Sequence, residues 1–119
     1  MDVKEILDEI AKVPGVVSVV VLGRDGIVLE STSNDNAEDP STIAALSRDA
    51  IISAERMTSD LGKGNLIMGA LEFSRGIAFI ANVSRFCKLL LLANRGSNLA
   101  DLWNVVGSKF VALRQALQF

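Results

Sequence analysis

The sequence predicts a mixed α/β (α+β) fold: one five-stranded antiparallel sheet with helices on both faces, in the order α-β-β-α-β-β-β-α. Three observations predict it. A short amphipathic helix, Asp2 to Val13, runs through Pro14–Gly15 straight into a β-hairpin; a long uninterrupted helical segment follows; and three β-patterned runs joined by tight turns come after it, closed by a last apolar-striped helix. With 119 residues the chain is expected to form one domain over 1–119, with no room for a second core.

Each element has a local cause. In the first helix Val3, Ile6, Leu7 and Ile10 recur at helical spacing, with Asp2, Glu5, Asp8 and Glu9 on the other side. The acidic first turn suits the helix dipole, and Pro14–Gly15 ends the helix before a β-branched run. Val16–Leu22 and Ile27–Glu30 read as strands across Gly23–Arg24–Asp25–Gly26, and Asp25–Gly26 predicts a type I′ turn with positive φ at both centres. Ser31 to Asp39 has neither period and reads as a mobile loop.

Asp39–Pro40 supplies a cap and a first-turn proline for a long helix to about Leu61, stopped by Gly62 and Gly64. Asn65–Phe73, Ile77–Val83 and Cys87–Ala93 then alternate as a meander. The last helix opens at Ser97 or Asn98 with the stripe Leu99, Leu102, Trp103, Val106, Phe110, Leu113 and Leu117.

Composition excludes several function classes. There is no histidine, no tyrosine and one cysteine, so the usual nucleophile and base pairs are missing; Cys87 reads as a packed small hydrophobe, and the chain is expected not to be an enzyme. The net charge of −2 and pI near 5.0 give no basic field for nucleic acid. The longest uncharged stretch, Val13 to Gly23, is far short of the ~20 residues of a membrane span. The start lacks a secretory layout, which points to the cytoplasm, and the Asn82–Val83–Ser84 glycosylation match therefore carries no meaning. Half the residues are apolar and mean hydropathy is +0.36, to be wetted by 26 charged groups, a surplus that predicts self-association.

No cofactor or metal site is expected. Gly62–Lys63–Gly64–Asn65 follows a helix rather than a strand and reads as a helix end, not a phosphate loop. Asn94–Arg95–Gly96–Ser97 reads as a strand-to-helix turn rather than an anion site. Asp35, Glu38 and Asp39 lie on a polar loop without fixed ligand geometry.

The candidate working surfaces are two. At 3.6 residues per turn, Ile43, Leu46, Ala50, Ala54, Met57 and Leu61 share the side of the long helix expected to lie on the sheet. Opposite fall Ala45, Arg48, Ile52, Glu55, Arg56 and Ser59, where Ile52 in an otherwise solvent-facing position predicts contact with another helix or a partner protein. The run Leu66, Ile67, Met68, Gly69, Ala70 and Leu71 has no proline and no charge; as an edge strand it is expected to pair with its own copy across a two-fold axis.

The helix–Pro14–Gly15–Val16 entry, the V-V-V-L-G-R-D-G-I-V-L-E-S hairpin, the alanine-rich central helix and the closing G-S-N-L-A-D-L-W helix together resemble the Roadblock/dynein light-chain family over almost the whole chain. The resemblance implies a profilin-like or longin-like sandwich that dimerises through its third strand and central helix. It further implies a non-catalytic platform for Ras-like small GTPases, as in bacterial gliding-motility regulators, some of which stimulate GTP hydrolysis. A structural adaptor subunit of a motor or receptor complex, without effect on nucleotide turnover, is the alternative, and a small-molecule sensor domain the third reading. On this resemblance the solvent side of the central helix, including Arg48, Ile52, Glu55, Arg56 and Ser59, seats the dimer mate or the GTPase. The chain begins at the first helix and stops at Phe119, within the last, so functions that rely on terminal extensions are not implied.

Overall fold

The computed structural model describes residues 1–34 and 37–117. Its elements are α1 (Val3–Ala11), β1 (Val16–Gly23), β2 (Val28–Ser33), α2 (Pro40–Asp60), β3 (Met68–Phe73), β4 (Gly76–Ser84), β5 (Cys87–Asn94), α3 (Leu99–Ser108) and α4 (Phe110–Ala116). The five strands form one antiparallel sheet in the order β2-β1-β5-β4-β3. The last strand of the meander therefore slots beside the first strand of the hairpin, and β2 and β3 are left as the two edges.

Two apolar layers sandwich this sheet. On one face Ile6, Leu7 and Ile10 of α1, with Leu102 and Val106 of α3 and Leu113 of α4, pack on Val19, Val21, Phe79, Leu89 and Leu91. On the other, Ile43, Ala44 and Ile51 of α2 pack on Val20, Leu22, Ile80 and Leu90. The alternation in β1 and β5 is apolar on both faces because both are covered.

The caps work as their chemistry dictates. Asp2 and Glu5 form a reciprocal capping box on α1, and Asp39 Oδ2 accepts from the Ser41 amide at 3.1 Å to open α2. At the other end of α2, Gly62 takes φ +65° while its N–H donates to Ser59 O and that of Lys63 to Thr58 O, a Schellman motif that closes the last carbonyls.

Four sequence-based expectations are corrected. The hairpin turn is not type I′: only Gly26 has positive φ, Gly26 N–H donates to Gly23 O, and Asp25 Oδ1 accepts from the Ile27 amide at 3.0 Å. The side-chain bond holds Asp25 in an ordinary negative-φ turn, and the strands absorb the extra residue as a bulge at Val21/Leu22. Second, β2 continues to Ser33 through what reads as loop. Ser33 shares a 2.8 Å hydroxyl pair with buried Ser18, and Lys4 Nζ and Asp8 Oδ1 hold Ser31 O and Thr32 Oγ1. Asp35 lies outside the described residues, and among those described no three acidic, cysteine or histidine side chains gather to hold a metal.

Third, the strand expected from Asn65 begins at Met68, so Leu66 and Ile67 precede it. Fourth, the closing helix is two helices hinged at Lys109, which takes φ −96° and ψ −4°. Gly107 and Ser108 weaken helix continuation there, the Ser108 hydroxyl donating back to Val105 O. The Lys109 ammonium meanwhile donates to the Glu9 carboxylate, tying α1 to the hinge.

That pair makes a first testable statement. The hydrogen bond from Lys109, helped by the charges of Lys109 and Lys12 and opposed by desolvation, holds the Glu9 carboxyl below its usual 4.5. A depressed folded-state pKa contributes stability above the unfolded value and loses it as pH falls through the folded one. Glu9→Gln is therefore expected to lower the urea midpoint at pH 7, the gap to the parent closing as pH drops below about 4.5. A gap of equal size at pH 3 would remove the pair from the stability account.

Candidate interaction surface

The site begins with the unequal treatment of the two sheet edges. At β2 the edge is dressed by α1: Lys4 Nζ donates to Ser31 O and to Thr32 Oγ1, both at 2.7 Å. At β3 no helix among the described residues covers the edge. Asn82 N–H donates to Ile67 O at 2.9 Å, continuing the register Met68↔Ala81 and Ala70↔Phe79 by one pair. Hydrogen-bonded pairs thus fall at Ile67, Gly69, Leu71 and Phe73, and the amides of Met68, Ala70 and Glu72 point away from β4. Such a bare edge, with no charge before Glu72, is a template for another strand.

The sheet beside that edge is open as well. Side chains of directly paired residues share a face, so Leu71 with Ala78, and Phe73 with Gly76, lie on the α2 side, as Ile80 does. α2 packs most closely on β1 and β2 and leaves these positions uncovered: Leu71 and Phe73 are each 49% exposed.

The phase of α2 completes the picture and corrects the expected one. Its sheet-facing residues are Ile43, Ala44, Ser47, Ala50, Ile51, Ala54 and Thr58, all buried or half-buried. Leu46, Met57 and Leu61, expected against the sheet, are 76%, 59% and 63% exposed. Ile43 and Ile51 anchor the helix with small residues between them, and Leu46 and Met57 stand on the flank of α2 that faces the uncovered β3–β4 surface. Together with Leu71 and Phe73 they form an exposed apolar zone continuous with the bare edge.

The other flank carries most of the residues singled out on the central helix. Ala45, Arg48, Ile52, Arg56 and Ser59 are exposed there, and Glu55 is half-buried with its carboxylate 3.8 Å from Lys88 Nζ. Arg56 points away from the sheet, and the other five line two open recesses of about 660 and 450 Å³ between α2 and the turns at that end of the sheet. Of the strand-three candidates, Ile67 and Leu71 are exposed, as is Ala70; Met68 and Gly69 are half-buried; and half-buried Leu66 packs under α2. The structure thus separates the candidate residues into an edge with an apolar flank and a polar flank with recesses.

A Roadblock/LC7 domain model matches residues 2–93. The chain belongs to the Roadblock/LC7 family. Solved structures agree on the fold: a Roadblock/LC7 domain from Streptomyces avermitilis superposes with a TM-score of 0.87 at 21% identity, covering 100% of both chains. Myxococcus xanthus MglB follows at 0.84 and 12% identity, covering 94% of this chain and 91% of its own. An MglB with a tetrameric arrangement gives 0.82 and 18%, covering 94% and 85%. No curated protein sequence matches the chain. At these identities the Roadblock fold is what is shared. No helix among the described residues is long and apolar enough to cross a membrane.

Proposed function

We propose that this Roadblock domain is a non-enzymatic homodimeric regulator or scaffold of a Ras-like small GTPase. The observation that carries the reading is the bare edge of β3 continuous with the exposed Leu46, Met57, Leu71 and Phe73. A monomer gains nothing from leaving such a zone wet, whereas two copies paired edge to edge bury it twice through one two-fold contact. Leu66–Leu71 and the Leu46/Met57 flank go to the second copy; Ala45, Arg48, Ile52, Glu55, Arg56 and Ser59 go to the GTPase. The likeness to MglB, a gliding protein in Thermus thermophilus, supports the choice of partner class. The chemistry stays on the GTPase, and the protein works in the cytoplasm without cofactor, nucleic acid or membrane span.

The test is a pull-down of Ras-like GTPases encoded in the same genome, loaded with GTP or GDP. A regulator is expected to retain one loaded form at least tenfold better, and Ile52→Asp to weaken that capture while leaving the oligomer intact. Equal capture of both forms would instead establish a structural adaptor of motor or receptor type. The small-molecule sensor gains no support, because both recesses are open to solvent rather than enclosed between sheet and helix.

A further inference from the structure

The two recesses on the polar flank of α2 adjoin at one ion pair, Glu55 with Lys88, which lines both. They form a single trough along α2 from Ser41 to Ser59, roughly 27 Å at 1.5 Å per residue. Its opposite wall is built from the β1–β2 and β4–β5 turns, which the antiparallel register brings to the same end of the sheet, Gly23 pairing with Cys87.

The charge of this trough opposes that of the protein. Five cations line it, Arg24, Arg48, Arg85, Lys88 and Arg114, against two carboxylates, Asp25 and Glu55. The trough is therefore +3 within a chain of net charge −2, which leaves −5 for everything else. Both carboxylates are already engaged: Asp25 with the amide of Ile27 and Glu55 with Lys88. Among the described residues, Arg24, Arg48, Arg85 and Arg114 have no carboxylate within 4.0 Å.

Apolar and polar anchors alternate with the cations. Ile27 and Ile52, 62% and 41% exposed, both line the wider recess. In the narrower one Asn82 gives its amide N–H to Leu66 O at 2.8 Å, and among the described residues its buried Oδ1 has no donor. Arg114 Nε donates to Val83 O and its guanidinium stacks on Phe110, as that of Arg85 does on Phe86, so both cations are held in place without a counter-charge; an unmet acceptor beside them asks for a ligand that brings both a carboxylate and an N–H, as a peptide does.

We propose that this trough binds an acidic, extended segment of a partner protein, with carboxylates on the arginines, aliphatic side chains against Ile27 and Ile52, and a backbone N–H on Asn82 Oδ1. An extended chain covers the length with about eight residues. The proposal deepens the partner-binding reading of this flank; it rests on that reading only for there being a partner, and requires neither a GTPase nor a dimer.

Its test uses a fluorescein-labelled glutamate–leucine peptide of that length in anisotropy titrations against the full chain, beside a glutamine–leucine counterpart. The acidic peptide is expected to bind at least tenfold tighter than the neutral one and to weaken as salt shortens the screening length below about 10 Å. Arg48→Glu with Arg85→Glu, both on exposed side chains, is expected to weaken it at least tenfold. Lys12→Glu with Arg95→Glu, an equal change of net charge outside the trough, is expected to change it less than twofold. Thermal melts confirm that each variant folds. Equal binding of the two peptides, no binding at low salt, or equal loss in both double variants would overturn the proposal. So would tighter capture of a single-stranded oligonucleotide or anionic phosphatidylserine vesicles, which would make the trough a general polyanion site. A trough that passes while no GTPase is captured leaves the acidic segment standing and removes the GTPase; the reverse pattern keeps the GTPase and removes the trough.

Discussion

Ala70→Pro is expected to convert the protein from a particle of about twice 12.7 kDa to one of 12.7 kDa while leaving its fold intact. The separation of these two effects follows from the register of β3. Ala70 lies between hydrogen-bonded pairs, its amide pointing away from β4, so proline there removes no bond of the monomer. In a two-fold strand pair the same amide lies at the contact, and the ring also blocks close approach of the second backbone. Losing two or three interstrand hydrogen bonds at about 0.5–1.5 kcal/mol net each, plus the steric block, weakens association on the order of a hundredfold. Light scattering coupled to gel filtration at micromolar concentration reads the mass, and a urea titration reads the fold. Leu46→Glu is a companion on the helix flank: it puts a charge into the zone at a side chain already 76% exposed, so it should also favour the monomer at little cost in stability. An Ala70→Pro protein that keeps both the larger mass and the parent urea midpoint would show that β3 is not the seam.

Much of the fold was legible because its signals are local. Asp2, Asp39–Pro40 and Gly62 mark helix ends by hydrogen bonds to neighbours within a few residues, and the β-patterned runs name the strands in β1, β4 and β5. The unprotected edge could be read from the run Leu66–Leu71, which has no charge before Glu72, and the position of β3 at the sheet edge agrees. The phase of α2 was legible only in part: Ile43, Ala50 and Ala54 lie on the sheet side as expected, whereas Leu46, Met57 and Leu61 do not. Ile43 and Ile51 pack against the sheet among small residues such as Ala44, Ala50 and Ala54, while Leu46, Met57 and Leu61 face out, so apolar side chains of similar size stand on both sides of the helix. An exposed apolar flank erases the contrast between core and solvent on which phasing depends. The bend at Lys109 was hidden because its causes are a weak Gly107–Ser108 pair and an ion pair reaching 100 residues back to Glu9. The cationic trough was hidden for a related reason: Arg24, Arg48, Arg85 and Arg114 span 90 positions of a chain whose net charge is acidic, and only the strand order brings them to one end.

The second large effect belongs to the opposite face of the sheet. Phe79 is fully buried at the middle of β4, and its ring meets Trp103 of α3 edge to face, with centroids 5.8 Å apart. Phe79→Ala removes a ring held between the sheet and the closing helices and leaves a void that close-packed Leu91, Leu102 and Val106 cannot fill without moving the backbone. Such truncations cost about 3–5 kcal/mol, against a total of roughly 6–18 kcal/mol for a chain of this length. The melting temperature is expected to fall by about 10–20 °C. Trp103→Leu, by contrast, loses a half-exposed ring and the edge contact, worth about 1 kcal/mol beyond its area, and is expected to be the milder change. Trp103 is the single tryptophan in a chain without tyrosine, so its emission reports Phe79→Ala unfolding without interference. The measurement also checks the division of labour between the faces. Phe79 and Leu71 lie on opposite sides of the sheet, so a Phe79→Ala protein still folded at low temperature should keep its oligomeric mass while losing stability. Ala70→Pro should do the reverse. If both variants lost mass and stability together, folding and association would be one event, and the monomer would not exist as a folded species alone.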